Sequence, residues 1–236
     1  MTGSALVTLI IGGENMISVA IDGPAGAGKS TLSRKLAASL DYIYVDTGAL
    51  YRAVGLKLSQ KGFDTDMNGD IEEVLNDTTV DIKFIDKEQR VFLDGVDVSD
   101  EIRTPIASMM ASAASAKPVV RQFLLDMQRN LAKNNNVVMD GRDIGTVVLP
   151  NAQVKIFLTA DVKVRAMRRF KELQEKGVSD TFEAVLEDMK KRDYNDSHRD
   201  IAPLKQADDA VLADTTELDF DQSLELLQKI VKDGVK

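Results

Sequence analysis

Residues 23–31 form the stretch of this chain whose residue types and spacing are best suited to chemistry. Gly23, Gly28, Lys29 and Ser30 fit the pattern G-x-x-x-x-G-K-S/T. In this pattern the glycines let backbone N–H groups converge on a polyphosphate, the lysine adds a cation for the β- and γ-phosphates, and the serine hydroxyl can bind Mg²⁺. An apolar run before the motif and an amphipathic helical pattern after it favour a phosphate-binding loop over an ordinary strand–helix turn.

The composition excludes most covalent chemistry. The sequence has 236 residues, no cysteine and a single histidine, His198. It therefore has no disulfide, no thiolate metal site and no cysteine nucleophile, and a Ser-His-Asp triad would have to use that one histidine. Phosphoryl transfer needs neither group, because it depends mainly on positioning and on neutralisation of charge.

The charge and hydropathy of the chain limit its partners and its location. A net charge of −8 argues against a general nucleic-acid or anionic-membrane surface. No apolar run reaches the roughly 18 residues of a membrane span. Residues 1–15 contain an apolar stretch with no basic residue ahead of it, which is not typical of a signal peptide. We therefore expect a cytoplasmic protein in which residues 1–15 are a non-catalytic extension, with an extra edge strand as the alternative for this segment.

Polar and charged residues also follow two predicted strands. The predicted strand 42–46 leads into a helical pattern that carries Thr47 and Arg52, and a third predicted strand ends at Asp140, just before Arg142 and Asp143. Ligands gather at the carboxyl ends of strands in open α/β sheets, so both groups are expected near the phosphate-binding loop. Asp140, Arg142 and Asp143 give two carboxylates and an arginine next to glycines, which favours a binding site at the end of the third predicted strand.

Arginines recur on one face of each of two later helical patterns. Arg165, Arg168 and Arg169 are spaced i, i+3, i+4. If the next predicted helix continues far enough, Arg192, Asp196 and Arg199 are spaced i, i+4, i+7 and share a face as well. A charged stripe is usually a solvated surface, but two neighbouring arginine stripes in an acidic protein indicate a phosphate clamp.

Strands that alternate with helices predict a parallel α/β core with two excursions, at about 60–118 and 161–205. Alternating apolar residues over 80–85, 90–93 and 96–98 predict a small antiparallel insert, with turns at 86–89 and 94–95. Further strands are predicted at 154–158 and 210–214, and a closing helix at 221–232. Asp161 is expected to cap one helix of the second excursion, and Asp180 with Glu183 to form a capping box on the next.

Five motifs in this order resemble those of the bacterial-type cytidylate kinases, which belong to the nucleoside monophosphate kinases with a P-loop. The motifs are residues 22–31, 46–52, 101–104, 140–148 and 192–199, and the resemblance covers 16–236 as a single domain. It implies an α/β three-layer P-loop fold with a five-stranded parallel sheet of order 2-3-1-4-5, an antiparallel β insert in the monophosphate-binding region and a helical lid. The implied activity is transfer of the γ-phosphate of ATP to CMP or dCMP, with Mg²⁺ as the metal ion.

The resemblance also implies roles for individual residues. It assigns ATP to Gly23, Pro24, Ala25, Gly26, Ala27, Gly28, Lys29, Ser30 and Thr31, with the lid arginines Arg165, Arg168 and Arg169. It assigns CMP to Thr47, Tyr51, Arg52, Ser112, Arg121, Arg142, Asp143, Arg192 and Asp196. The expected catalytic residues are Lys29, Arg142, Arg168 and Arg199. From the loop motif we expect Ser30 to bind Mg²⁺, and from its place at the end of the third predicted strand we expect Asp140 to bind the ion through water.

Physical chemistry supports a cytosine-reading role for Asp143 independently. The exocyclic amine of cytosine is a donor that suits a carboxylate acceptor, whereas uracil presents a carbonyl there. The resulting unpaired acceptors would weaken binding of uracil by about 1–3 kcal/mol. No general base is required, because the attacking phosphate oxygen of CMP is already ionised.

Other functions stay open at this point. The chain could be a P-loop kinase for another monophosphate, such as UMP or AMP, or for a small alcohol, which would need a carboxylate base. It could also be a nucleotide-dependent switch module, although the sequence lacks the Asn-Lys-x-Asp guanine motif of GTPases. We expect ATP and CMP or dCMP as partners, with no nucleic acid and no membrane, and a monomer because no exposed apolar stripe is evident.

Overall fold

The computed structural model describes residues 16–85, 88–175 and 177–235, so the expectations for residues 1–15 lie outside the described part. The strands and helices are β1 (Ser18–Asp22), α1 (Lys29–Leu40), β2 (Ile43–Asp46), α2 (Thr47–Gln60), α3 (Ile71–Asn76), β3 (Val80–Ile85), β4 (Glu88–Leu93), β5 (Val96–Asp97), α4 (Pro105–Ser115), α5 (Pro118–Asn134), β6 (Val137–Gly141), β7 (Val154–Thr159), α6 (Val162–Glu175), α7 (Phe182–His198), β8 (Val211–Asp214) and α8 (Phe220–Gly234). A π-helical turn, Ile144–Val148, lies between β6 and β7. Within the described ranges, no helix is both long enough and apolar enough to cross a membrane.

The parallel sheet has the strand order β2-β6-β1-β7-β8. Numbered within this sheet alone, the order is 2-3-1-4-5, which confirms the topology expected from the sequence. β1 pairs in parallel with β7, and β7 pairs in parallel with β8. Every residue of β1 and of β6 is buried, as is usual for strands covered on both faces. Because β1 is the central strand, its carboxyl end delivers the glycine-rich loop to the middle of one edge of the sheet.

The chain divides into two compact units. The first is formed by Ile43–Val137, and the second by Ile17–Tyr42 together with Val138–Lys236. In the first unit, α2 packs against α4 and contacts the antiparallel insert. In the second unit, α6 and α7 form a helical pair around a small apolar cluster of Ala166, Leu173, Val185 and Met189.

The antiparallel insert predicted from the period-two pattern is confirmed. β3, β4 and β5 form a separate three-stranded sheet, in which Val80 pairs with Leu93 and Ile85 with Glu88. The prediction of a turn over 86–89 is wrong at its end, because Glu88 and Gln89 already belong to β4; residues 86 and 87 lie outside the described part. Because Glu88 and Gln89 are both polar, the apolar alternation that predicted this strand begins only after them.

The predicted capping box of α7 is wrong, and the helix does not continue through Arg199. Its N-cap is Thr181, whose hydroxyl accepts a hydrogen bond from the Ala184 N–H at 3.2 Å, so Asp180 does not form the expected capping box. The helix ends at His198, and Arg199 has extended backbone beyond it. The cap at Asp161 agrees with the sequence, since its carboxylate accepts from the Lys163 N–H at 2.8 Å. Neither α3 nor the π-helical turn was predicted, because both are too short to show a period.

Candidate active site

The glycine-rich loop after β1 has the backbone that its sequence pattern requires. Gly23 has a φ of 152°, and a Cβ there would overlap the carbonyl oxygen of Leu158. Gly28 has a φ of 84° and caps α1, so the loop runs directly into the helix N-terminus. Such a terminus presents free N–H groups and partial positive charge to an anion.

Lys29 is buried at the first position of α1, with 6% of its surface exposed. Its ammonium donates to the carbonyl oxygen of Pro24 at 2.7 Å. Burial, with the nearby charge of Arg142, holds the pKa of Lys29 well below its ordinary value, against the opposing charges of Asp140 and Asp196. A polyphosphate in the loop would favour the charged ammonium, because it would add negative charge beside a desolvated cation.

Ser30 and Asp140 place two hard oxygen donors together. The Ser30 hydroxyl donates to Asp140 Oδ2 at 3.1 Å, and Asp140 is buried near the end of β6. Within the described ranges, no group of three or more His, Asp or Glu side chains could hold a metal ion by itself. A hydroxyl and one carboxylate suit Mg²⁺, which usually keeps several waters and takes its other ligands from substrate phosphates. The residues present therefore fit Mg²⁺ bound together with a nucleotide.

Asp22, the last residue of β1, is a site residue to which sequence reasoning gave no role. Its two carboxylate oxygens accept hydrogen bonds from the N–H groups of Ile144 and Gly145, each at 2.7 Å. Burial raises the pKa of Asp22 to about 6, although these two hydrogen bonds act to lower it. The carboxylate thereby fixes the start of the π-helical turn directly after Asp143. An acidic residue at the end of a mostly apolar buried strand was the available signal.

Arg142, Asp143, Asp196 and Arg199 form a charged cluster in the second unit. Arg142 Nε donates to Asp196 Oδ2 at 2.7 Å, and Arg199 Nη2 lies 3.7 Å from Asp143 Oδ1. Burial acts to raise the pKa of Asp196, but the charge and hydrogen bond of Arg142, aided by Arg192 and Arg199, hold it below its usual range. The structure thus brings together Arg142 and Asp196, two predicted site residues that are 54 positions apart in the sequence.

The three predicted lid arginines have different environments. Arg165 is buried, and its guanidinium donates to the carbonyl oxygens of Ala160 at 2.8 Å and Ala25 at 2.9 Å and pairs with Asp193 at 2.7 Å. Arg168 donates to the carbonyl oxygen of Thr215 at 3.0 Å. Arg169 is more exposed and pairs with the next turn of its own helix.

A cavity of about 430 Å³ lies beside the glycine-rich loop. Its lining includes Gly28, Thr31, Arg168, Arg169 and Phe220. Two of the three predicted lid arginines therefore border a space next to the loop, whereas Arg165 is part of the structure beneath it.

In the first unit, the predicted residues form two smaller groups. The Asp46 carboxylate caps α2 through the Ala49 N–H at 3.0 Å and pairs with Arg52 at 2.9 Å. Arg121 is buried and lies 5.8 Å from the centre of the Tyr51 ring. The predicted residues Thr47, buried at the start of α2, and Ser112, half-buried on α4, complete this set.

Comparisons with known proteins agree on one family. The family model described as cytidylate kinase matches residues 19–233. The chain is 52% identical over 223 residues to a cytidylate kinase of Caldicellulosiruptor bescii, covering 93% of this chain and 99% of that protein. It is 48% identical over 218 residues to a cytidylate kinase of Thermosipho melanesiensis, covering 92% of this chain and 98% of that protein.

A comparison of structures finds a similar fold. A crystal structure of an uncharacterized protein from Eubacterium ventriosum matches with a TM-score of 0.52 and 15% sequence identity, covering 93% of this chain and 99% of that one. At this identity the match concerns the fold alone.

Proposed function

Because this chain belongs to the cytidylate kinase family, we propose that it transfers the γ-phosphate of ATP to CMP or dCMP, giving CDP or dCDP and ADP. The observation that carries this function is the family match over residues 19–233, with two curated relatives at about half identity. The chain is thus a nucleoside monophosphate kinase, a phosphotransferase. No observation favours a UMP or AMP kinase, an alcohol kinase or a switch module.

The reaction is a direct displacement at the γ-phosphorus. An ionised phosphate oxygen of CMP forms the new bond, the bond from the γ-phosphorus to the bridging oxygen breaks, and ADP leaves with the electron pair. No proton has to be removed from the nucleophile, which agrees with a site rich in arginine and poor in histidine. Catalysis then consists of alignment and of charge stabilisation by Lys29, Arg142, Arg168 and Arg199.

ATP is held by residues 23–31, with the γ-phosphate near Lys29. The support for this is the positive-φ glycine backbone, the helix N-terminus at Gly28 and the buried ammonium of Lys29. Arg168 and Arg169 border the adjoining cavity and reach the nucleotide from there. Arg165 contributes through its hydrogen bond to the Ala25 carbonyl, which holds the loop itself.

CMP is bound by Thr47, Tyr51, Arg52, Ser112, Arg121, Arg142, Asp143, Arg192 and Asp196. Arginine forks suit phosphate oxygens because two N–H groups can engage at once, and Arg52 and Arg142 take this role. Asp143 accepts from the cytosine amine, with Ser112 and Arg121 as the other base contacts. Its position is supported by the adjacent amides that Asp22 holds.

Mg²⁺ fits the oxygen pair of Ser30 and Asp140. When bound with ATP, the ion neutralises phosphate charge. Ser30 would bind it directly, and Asp140 through water.

The proposed organisation is a single catalytic domain over 16–236, preceded by residues 1–15. The segment at about 60–118 serves the monophosphate and 161–205 acts as the lid, which excludes water so that ATP is not hydrolysed. We propose a monomer, and a cytoplasmic location because ATP and CMP are metabolites of that compartment.

A coupled ADP-release assay tests this function. MgATP is supplied with CMP, dCMP, UMP or AMP in turn, and one sample receives no acceptor. Rapid release is expected with CMP and dCMP only. Equal release without an acceptor would identify a nucleotide hydrolase or switch, and a preference for UMP or AMP would refute the cytosine-reading role of Asp143.

A further inference from the structure

The side chain of Gln89, in the antiparallel insert, pairs with the main chain of Asp46 at the end of β2. The Asp46 N–H donates to Gln89 Oε1 at 2.8 Å, and Gln89 Nε2 donates to the Asp46 carbonyl oxygen at 3.2 Å. Among the described residues, β2 is an outermost strand of the parallel sheet, and no strand of that part of the chain pairs with its outer edge. The amide of Gln89 supplies both a donor and an acceptor there, as a neighbouring strand would.

The carboxylate of the same Asp46 determines where Arg52 lies. One oxygen caps α2 through the Ala49 N–H at 3.0 Å, and the other accepts from Arg52 Nη2 at 2.9 Å. Gly48 packs between the Asp46 carboxylate and the Arg52 guanidinium, since a Cβ there would lie 3.1 Å from Asp46 Oδ1 and 3.2 Å from Arg52 Nη1. The three groups are therefore closely packed, and a shift of the Asp46 main chain would move the Arg52 guanidinium with it.

The pairing leaves Arg52 able to bind a further anion. A guanidinium has five N–H donors, and Asp46 takes one of them. The buried Nε of Arg52 makes no hydrogen bond to any group in the described residues. Which of the remaining N–H donors can face a phosphate therefore depends on how the Arg52 guanidinium is oriented.

We propose that Gln89 is a positioning residue for CMP, which holds the main chain of Asp46 so that the Asp46 carboxylate aims Arg52 at the CMP phosphate. This inference rests on the proposed function, in which Arg52 binds that phosphate. Gln89 itself does not touch a substrate. In this arrangement the antiparallel insert supports the start of α2 from outside the parallel sheet.

Replacement of Gln89 tests the inference through the affinity for CMP. We expect Gln89→Ala to raise the Kd for CMP, measured by calorimetry, and the KM for CMP by about fivefold, which corresponds to about 1 kcal/mol. The KM for ATP and kcat stay unchanged. Gln89→Asn keeps the amide but is one methylene shorter, so it cannot bond both backbone groups of Asp46 and gives a similar rise.

Arg90→Ala is the matched control from the same strand. Arg90 pairs with Asp97 at 2.8 Å and with Asp100 at 3.2 Å, so its removal weakens the insert without touching Asp46. We expect its affinity for CMP to equal that of the wild type. An equal loss of affinity in both variants would show general support by the insert and would overturn the positioning role.

Hydrogen exchange of the nucleotide-free protein gives a readout that is independent of CMP. The amides of residues 46–49 should exchange faster in Gln89→Ala than in the wild type and in Arg90→Ala. Unchanged exchange, or an unchanged Kd for CMP, would overturn the inference. A wild type that does not bind CMP would reject the proposed function itself, and hydrogen exchange would then still decide whether Gln89 holds Asp46.

Discussion

The buried carboxyl group of Asp22 should make the free energy of unfolding depend on pH in a window that ends near pH 6. Burial raises its pKa from 3.8 to about 6 in the folded protein, with a further increase from the charge of Asp143 and opposing contributions from two backbone amides and Lys29. Between these two pKa values the folded state binds a proton that the unfolded state has lost. Stability from this group is therefore fully present below the unfolded pKa and is lost as the pH rises through about 6.

The size of the pKa shift of Asp22 determines how strongly the free energy of unfolding depends on pH. A change of about two pKa units corresponds to a loss of about 3 kcal/mol across the whole window. Between pH 5 and pH 8 the expected change is about 1.4 kcal/mol, because each pH unit below the folded pKa is worth about that much.

Urea denaturation of the wild type and of Asp22→Asn at several pH values measures this change. Far-UV circular dichroism is a suitable signal, because the chain has no tryptophan. Asparagine does not titrate at this position, so the cost of the substitution that does not depend on pH cancels when the two proteins are compared across the pH range. Titrating groups that do not interact with Asp22 behave alike in both proteins, so their contributions also cancel.

The expected result is that the stability of the wild type relative to Asp22→Asn falls by about 1.4 kcal/mol from pH 5 to pH 8. A difference that does not change with pH would refute the raised pKa. A difference that grows with pH would show that the amide hydrogen bonds and Lys29 outweigh burial, so that the pKa is lowered. The carboxyl carbon signal of Asp22 in an NMR titration would locate the pKa directly.

Four further substitutions are expected to separate roles within the site. Lys29→Ala should lower turnover by a factor of about 10² or more while circular dichroism shows an intact fold, and near-normal turnover would contradict its role at the phosphates. Asp143→Asn should lower kcat/KM for CMP by about tenfold or more and that for UMP much less, because the cytosine amine loses its carboxylate acceptor; an equal loss for both nucleotides would move Asp143 from base recognition to architecture. Arg165→Met should destabilise the protein by about 3 kcal/mol in urea denaturation, since it leaves Asp193 without its partner, whereas Arg169→Met, at a half-exposed position, should change stability by less than about 0.5 kcal/mol. Similar stabilities for these last two variants would contradict the structural role of Arg165.

The sequence by itself determined the phosphate-binding loop, the α/β class and the sheet order expected from the family motifs. The loop could be identified because its chemistry lies within nine consecutive residues, from Gly23 to Thr31, where spacing alone brings the groups together. The insert was predicted because apolar alternation is a local signal. The N-cap of α7 was misplaced by one residue, since Asp180 and Thr181 are both good capping residues and only the path of the chain decides between them.

The tertiary structure decided how the charged groups are used. Equal spacing on α6 made Arg165, Arg168 and Arg169 look alike, but only Arg165 is turned inward to bond the Ala25 carbonyl. Asp22 bonds backbone amides 122 and 123 positions away, and Gln89 bonds a main chain 43 positions away. Such contacts depend on which strands become neighbours and which atoms lose water on folding. That information is distributed over the whole chain, so no local pattern carries it.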